Sequence, residues 1–276
     1  MSAGSDHDDR GSMRDFLETG GSDAVRDRQI VASARKDLPK RFFEEAQSVE
    51  NEGRYELRLD GRPARTPGRA VLHAVNERVG QALADEWNAL GERIDPLALP
   101  LTRILNSAID GVAPQRDAVR DDIAAYAGSD LLCYRASEPA ALVERQEAKW
   151  DGPLAAAEEA LGSPFLRADG IVHVEQPAQT LRQFRAGLEA VEESGALAAL
   201  HVTTSITGSA VLALGILRGW LPAEEAWAAA HVDEDWNREL WGADEEADRV
   251  RAQRRRDFDA AALILATASD DAARTI

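Results

Sequence analysis

The hydrophobic period of the chain changes once, near residue 75, and this change constrains the fold more than any other feature. Before it, Tyr55, Leu57 and Leu59 alternate with Glu56, Arg58 and Asp60, the period of two that marks a half-buried strand. Asp60-Gly61 then closes the strand with a dipeptide that accepts the positive φ angles of a two-residue hairpin turn. The return arm from Arg62 to Pro67 carries two prolines that cannot donate to a ladder, so it reads as an edge or an irregular crossing. Phe42, Phe43 and Val71-Leu72 are further short strand candidates.

Beyond the change the period is 3.6. Val79, Leu83, Trp87 and Leu90 share one helical face, with Gly91 where a C-terminal glycine would stand. Pro100 opens a second helix in which Leu101, Ile104, Leu105 and Ala108 recur until Asp110-Gly111, and Val119, Ile123 and Tyr126 mark a third, stopped by Gly128. Further helices are expected over residues about 141–161, 178–192 and 196–219, from Pro222 to Trp241, and over about 243–268. Nothing recurs at a fixed period, which excludes a solenoid. The expected class is α+β: residues 1–36 as a disordered or loosely attached tail, 37–97 as a β-rich domain and 98–276 as a helical domain.

Charge and cysteine usage remove several function classes. With 49 acids against 32 bases the formal charge is −17, which repels nucleic-acid backbones and anionic membrane surfaces. The densest basic run, Arg251 with Arg254, Arg255 and Arg256, is diluted at once by Asp257 and Asp259. The single cysteine, Cys133, excludes an internal disulfide and any site built from several thiolates; flanked by Leu132 and Tyr134, it reads as a buried small hydrophobe. The longest apolar stretch, Ile206 to Leu217, is far short of the ~20 residues that cross a bilayer and reads as a buried core helix, so no membrane insertion is expected. The opening residues show no secretory or transit pattern, which suggests the cytoplasm.

Catalytic constellations are weak. No phosphate loop or dinucleotide fingerprint occurs, and Thr207-Gly208-Ser209-Ala210 lacks the second glycine of a nucleophile elbow. Asp233-Glu234-Asp235-Trp236-Asn237 opens like a calcium loop, but Arg238 replaces the turn glycine and Asp244 the bidentate glutamate. His201 and His231 are isolated in sequence, so a metal-dependent hydrolase using His231, Asp233 and Glu234 is only the enzymatic alternative. The sharper anomaly is Asp233 itself. On a wheel running from Pro222 to Trp241 it falls inside the stripe of Ala226, Ala229, Val232, Trp236 and Leu240, about 20° from Leu240 and about 60° from Trp236. A carboxylate on an apolar face asks for a partner. Either an arginine of another helix supplies it internally, or the stripe is a docking surface and the partner is a base on another protein; Trp227 and Trp241 on the adjoining sector suit both readings.

Taken in order, Lys40-Arg41-Phe42, Leu59-Asp60-Gly61-Arg62-Pro63 with Thr66-Pro67, Glu86-Trp87, Pro100-Leu101-Thr102-Arg103, the run from Gly128 to Arg135, Arg145-Gln146 with Trp150-Asp151, Asp233-Glu234-Asp235-Trp236 and Trp241-Gly242 resemble one family. It is the assembly chaperone of the F-type ATP synthase α subunit, found in mitochondria and α-proteobacteria, and the resemblance spans residues about 40–265. It implies a β-rich N-terminal domain and a helical C-terminal domain, no catalysis, no cofactor, and a monomer that keeps the unassembled α subunit soluble until it meets β. It also implies that the acidic position before Trp241-Gly242, here Asp233, matters for function; with the docking reading of the wheel, Asp233, Trp227, Trp236 and Trp241 are the residues expected to touch the client. Three positions depart from the family pattern: the aspartate is shorter than the glutamate of many relatives, His231 stands for an arginine, and Gly152 delays Pro153 by one step.

The hairpin reading has a direct consequence. Gly61→Val should destabilise the N-terminal module by roughly 1 to 3 kcal/mol, because a left-handed turn residue becomes β-branched. Hydrogen exchange over residues about 53–68 should accelerate, and unchanged protection there would remove the turn from its assigned place.

Overall fold

The computed structural model describes residues 38–170 and 172–274, and the expected tail over 1–36 lies outside them. The N-terminal part is an antiparallel sheet centred on β2 (Arg54–Leu59), with β1 (Ala46–Asn51) on one side and the two-residue strands β3 (Arg62–Pro63) and β4 (His73–Ala74) in succession on the other. Leu59 pairs with Arg62, so Asp60 and Gly61 form a two-residue loop, at φ 48° and 77°. A Cβ on Gly61 would meet nothing within 4 Å, so the glycine is required by conformation and not by space. The Asp60 carboxylate also accepts the N–H groups of Glu44 and Glu45, both at 3.0 Å, and so ties the turn to the start of β1. A second hairpin joins β1 to β2 through Glu52-Gly53 at φ 52° and 76°, although no alternation announces β1. Phe42 and Phe43, by contrast, are not in a strand: Phe43 is buried against Trp87 while Phe42 points out.

Helix α1 (Glu77–Asn88) lies on this sheet and ends at Ala89 in right-handed geometry, so Gly91 is not its C-terminal glycine. Its Glu86 accepts the N–H groups of Leu101 and Thr102 at 2.7 and 3.0 Å, capping α2 (Pro100–Ser107) with a carboxylate from a neighbouring helix. A π-helical turn carries the chain on to Val112, past the expected stop at Asp110-Gly111. Asp110 is retained there as an acceptor from the Thr66 hydroxyl and the Gly68 N–H, both at 2.7 Å, which joins sheet to helices a second time.

The remaining helices are α3 (Arg116–Ala127), α4 (Ala140–Leu161), α5 (Ala178–Glu189), α6 (Ser194–Thr207), α7 (Ala210–Leu217), α8 (Ala223–Ala230), α9 (Val232–Trp241) and α10 (Glu245–Arg274). Two of the expected helices are each broken in two. Gly208 at φ 67° ends α6, and the Ser209 hydroxyl accepts the Leu212 N–H at 3.1 Å to start α7, so the apolar stretch Ile206 to Leu217 is the end of α6 followed by the whole of α7 and not one helix. Every residue of α7 is buried, with α3, α4, α6, α8 and α10 around it. The second break, at His231 with φ −114°, separates α8 from α9 in what the periodicity joins as one helix.

Two buried polar contacts hold these ends. Asp130, wholly buried, accepts the N–H groups of Leu132 and Val211 at 3.1 and 3.0 Å, so one carboxylate caps the turn before Cys133 and the start of α7. On α4, the fully buried Trp150 donates its indole N–H to the carbonyl of Ala229 at 2.7 Å. In an unbroken helix that carbonyl would face the N–H four residues on, and the break at His231 leaves it to the indole.

Burial pushes the Asp130 carboxyl up to about 6, against 3.8 for an ordinary aspartate. Between those values the folded chain holds a proton that the unfolded chain has released, so stability falls as pH rises from about 4 to about 6 and this contribution is level above it. Urea midpoints of Asp130→Asn measured across that range should lack this slope; an identical slope in variant and wild type excludes Asp130 as its source. Trp150→Phe keeps an aromatic ring but removes the donor, and should cost about 1 to 3 kcal/mol by leaving a buried carbonyl unpaired, with the lost indole volume adding to that. Amide exchange in the first turn of α9 should accelerate, and unaltered exchange would show that the break does not depend on the indole.

Candidate functional site

The break at His231 places three carboxylates, Asp233, Glu234 and Asp235, in the first turn of α9, where the helix dipole favours them. They diverge from there. Glu234 and Asp235 turn to Arg251 of α10, at 3.6 and 2.6 Å. Asp233, half-buried, faces α4 and accepts a hydrogen bond from Gln146 Nε2 at 2.7 Å. That amide is itself buried, and its Oε1 accepts the Ala136 N–H at 2.7 Å. Among the described residues no cation pairs with Asp233, so the internal arginine considered from sequence is absent and a neutral amide takes its place.

The neighbouring Arg145 is spent on α9 in another way. Its guanidinium forks onto Glu239 at 2.8 and 2.9 Å and lies 5.1 Å from the Trp236 ring centre. The pair holds the Glu239 carboxyl below its ordinary value. Leu240, two turns beyond Asp233 and about 20° from it around the helix, is 57% exposed, and Trp241 is 84% exposed. The structure thus brings Asp233, Trp236, Leu240 and Trp241 together on α9, with α4 bracing two of them.

Two sequence expectations are corrected. Trp227 is not on this surface: it is buried, stacked on His231 with ring centres 3.8 Å apart and packed on Phe258 at 5.2 Å. The wheel brought it near Trp241 only because it assumed one continuous helix. The metal-dependent hydrolase has no centre either. His231 is buried with Nδ1 facing the Trp227 carbonyl at 2.8 Å, and burial holds its imidazole below the ordinary value and hence neutral. Asp233 is turned to Gln146, and among the described residues no group of three or more His, Cys, Asp or Glu could hold a metal ion.

An open groove of about 460 Å³ lies between α9 and α10, lined by Trp227, Asp235, Arg238, Asp248, Arg251 and Arg255. Its arginines are already paired: Arg238 with Asp248, Arg251 with Asp235, and Arg255 with Glu224 and Asp259. It therefore offers an anion little uncompensated charge. Of the site residues, Leu240 stands in the stripe read from the sequence, Arg145 and Gln146 appear there only within a motif and without a role, and Glu239 is not singled out at all. Gln146 meets Asp233 across 87 positions, a pairing no local spacing encodes.

Comparison with known proteins agrees with this architecture. The family described as ATP12 chaperone protein matches residues 40–158. A putative chaperone from Agrobacterium tumefaciens is 43% identical, with 93% of this chain and 97% of that one covered and a TM-score of 0.78. Atp12 from Paracoccus denitrificans is 38% identical over 84% of this chain and 99% of that one, with a TM-score of 0.74. The mitochondrial atp12 protein of Schizosaccharomyces pombe is 23% identical over 84% of each chain. With whole-chain similarity to solved bacterial relatives above 30% identity, the chain belongs to the ATP12 chaperone family.

Proposed function

We propose that this chain binds the unassembled α subunit of the F-type ATP synthase and keeps it soluble until it assembles with β, without a chemical step or ATP hydrolysis. Membership of the ATP12 family makes it a chaperone of ATP synthase assembly. The choice of α rests on the ordered motifs from Lys40 to Gly242, and the docking site on one observation: Asp233 carries a half-buried carboxylate whose partner among the described residues is a neutral amide, on the same helix as the exposed Leu240 and Trp241. A carboxylate so placed keeps its charge available for a base on the client, and the indole and leucine supply apolar contact beside it.

The physical task is modest. A lone α subunit exposes the surface meant for β, and apolar patches beyond a few hundred Å² drive aggregation. A holdase need only cover that surface more weakly than β does, so hand-over proceeds by competition. The net charge of −17 opposes self-association and favours a monomer. Similarity to the Agrobacterium and Paracoccus proteins, together with the lone buried Cys133, supports a bacterial cytoplasmic setting.

Asp233→Asn leaves Gln146 an acceptor, so the melting temperature should stay within a few degrees of wild type. Affinity for the α subunit should fall by about 2 kcal/mol, roughly thirty-fold, while Asp233→Glu keeps most of it. Trp241→Ala should likewise weaken binding at unchanged stability, since the ring is 84% exposed. Melting curves beside protection of the α subunit from aggregation decide the matter: a large loss of stability in Asp233→Asn, or full protection at unchanged stability, rejects the docking surface.

A further inference from the structure

We infer that Gln146 is a positioning residue for client recognition: it fixes the direction of the Asp233 carboxylate without neutralising it. The inference rests on the docking reading of Asp233. Gln146 is 2% exposed, so neither end of its amide can turn to water. Its orientation is then decided by the backbone. The Ala136 N–H is a donor and must meet the amide oxygen, at 2.7 Å, which leaves the NH₂ end aimed at Asp233 Oδ1, also at 2.7 Å. The amide can therefore only donate to position 233, and the group it meets there must accept. Trp150, one turn on along the same face of α4, anchors that face to the Ala229 carbonyl, so the NH₂ group approaches from a rigid base.

An arginine in this place would hold the carboxylate equally well but would satisfy its charge, and a client base would then have to displace an internal ion pair. An apolar residue would leave the charge free but the carboxylate undirected. The neutral donor occupies one lone pair of Oδ1 and, among the described residues, leaves Oδ2 without a hydrogen-bond partner. The adjacent Arg145 confirms the division of labour on α4: its cation goes to Glu239 and Trp236, and the amide goes to Asp233.

The test is a double-mutant cycle read in two ways, as melting temperature and as affinity for purified α subunit. Gln146→Glu keeps the volume and the acceptor for Ala136 but sets a carboxylate against Asp233; both stability and affinity should fall, affinity about tenfold. Adding Asp233→Asn reverses the pair, with the amide now on α9, and should restore the melting temperature. Affinity should nevertheless stay at the level of Asp233→Asn alone, because the charge has moved inside. Affinity that returns together with the melting temperature would mean that the client does not read a carboxylate directed from position 233, which leaves Gln146 nothing to aim and would overturn the inference. Gln146→Leu gives an independent arm should the glutamate variant fail to fold: it should weaken binding in the wild-type background and add nothing to Asp233→Asn, whereas equal losses in both backgrounds count against positioning. Wild-type affinity in Asp233→Asn alone is a different failure, that of the docking surface itself.

Discussion

The hydrogen bond from the Trp150 indole to the Ala229 carbonyl is the contact on which the proposed docking surface depends. A helix cannot break in a core unless the carbonyls it abandons find donors, since each unpaired one costs about 1 to 3 kcal/mol. Here the indole takes one of them, and the Nδ1 side of His231 folds back on the carbonyl of Trp227. With those ends satisfied, α9 is free to leave the direction of α8 and run out to an exposed Leu240-Trp241. The same face of α4 that clamps the break also carries Gln146, so the element that allows the turn also receives the carboxylate the turn delivers.

Much of the fold is legible in the sequence because its signals are local. Asp60-Gly61 specifies a left-handed turn whatever surrounds it, and the stripes of α1, α2 and α3 fall where the apolar positions place them. The break at Gly208 was legible in principle, since a left-handed glycine followed by a capping serine is an end-and-start signal; the apolar run across it hides the signal, because one buried helix and two in succession are equally hydrophobic. His231 offers no such signal. No side chain caps α9, and the break is sustained by Trp150, 79 residues from its acceptor. Trp227 was misplaced for that one reason: a continuous wheel carries the phase of α8 into α9 and puts Trp227 beside the surface, where the structure buries it. The anomaly at Asp233 survives the error, because the residue lies at the junction itself and its neighbours on α9 keep their phase.

The two halves are joined by carboxylates that act as caps and not as ion-pair partners. Glu86 of α1 receives the first N–H groups of α2, and Asp110 receives a hydroxyl and an N–H from the loop beyond β3; within the helical half Asp130 caps α7 in the same way. A carboxylate that accepts backbone donors needs no cation. This is one way a chain with 49 acids and 32 bases can place acids inside its fold without matching each to an arginine.

The same economy explains why a holdase would carry Asp233 against an amide. Recognition of a client that must later be released calls for a charge that is directed but not consumed. If Asp233 were fully solvated, a client base would gain little, since exposed ion pairs contribute about 0 to 1 kcal/mol. If it were buried beside an arginine, the chaperone would be complete without a client. Half-burial against a neutral donor lies between these limits: water is partly excluded, the carboxylate is aimed, and its charge is answered only when a base arrives. On the proposed docking reading the contact would strengthen on binding and be given up whole to a competing β, so that reversibility would follow from the unbound chaperone's own geometry.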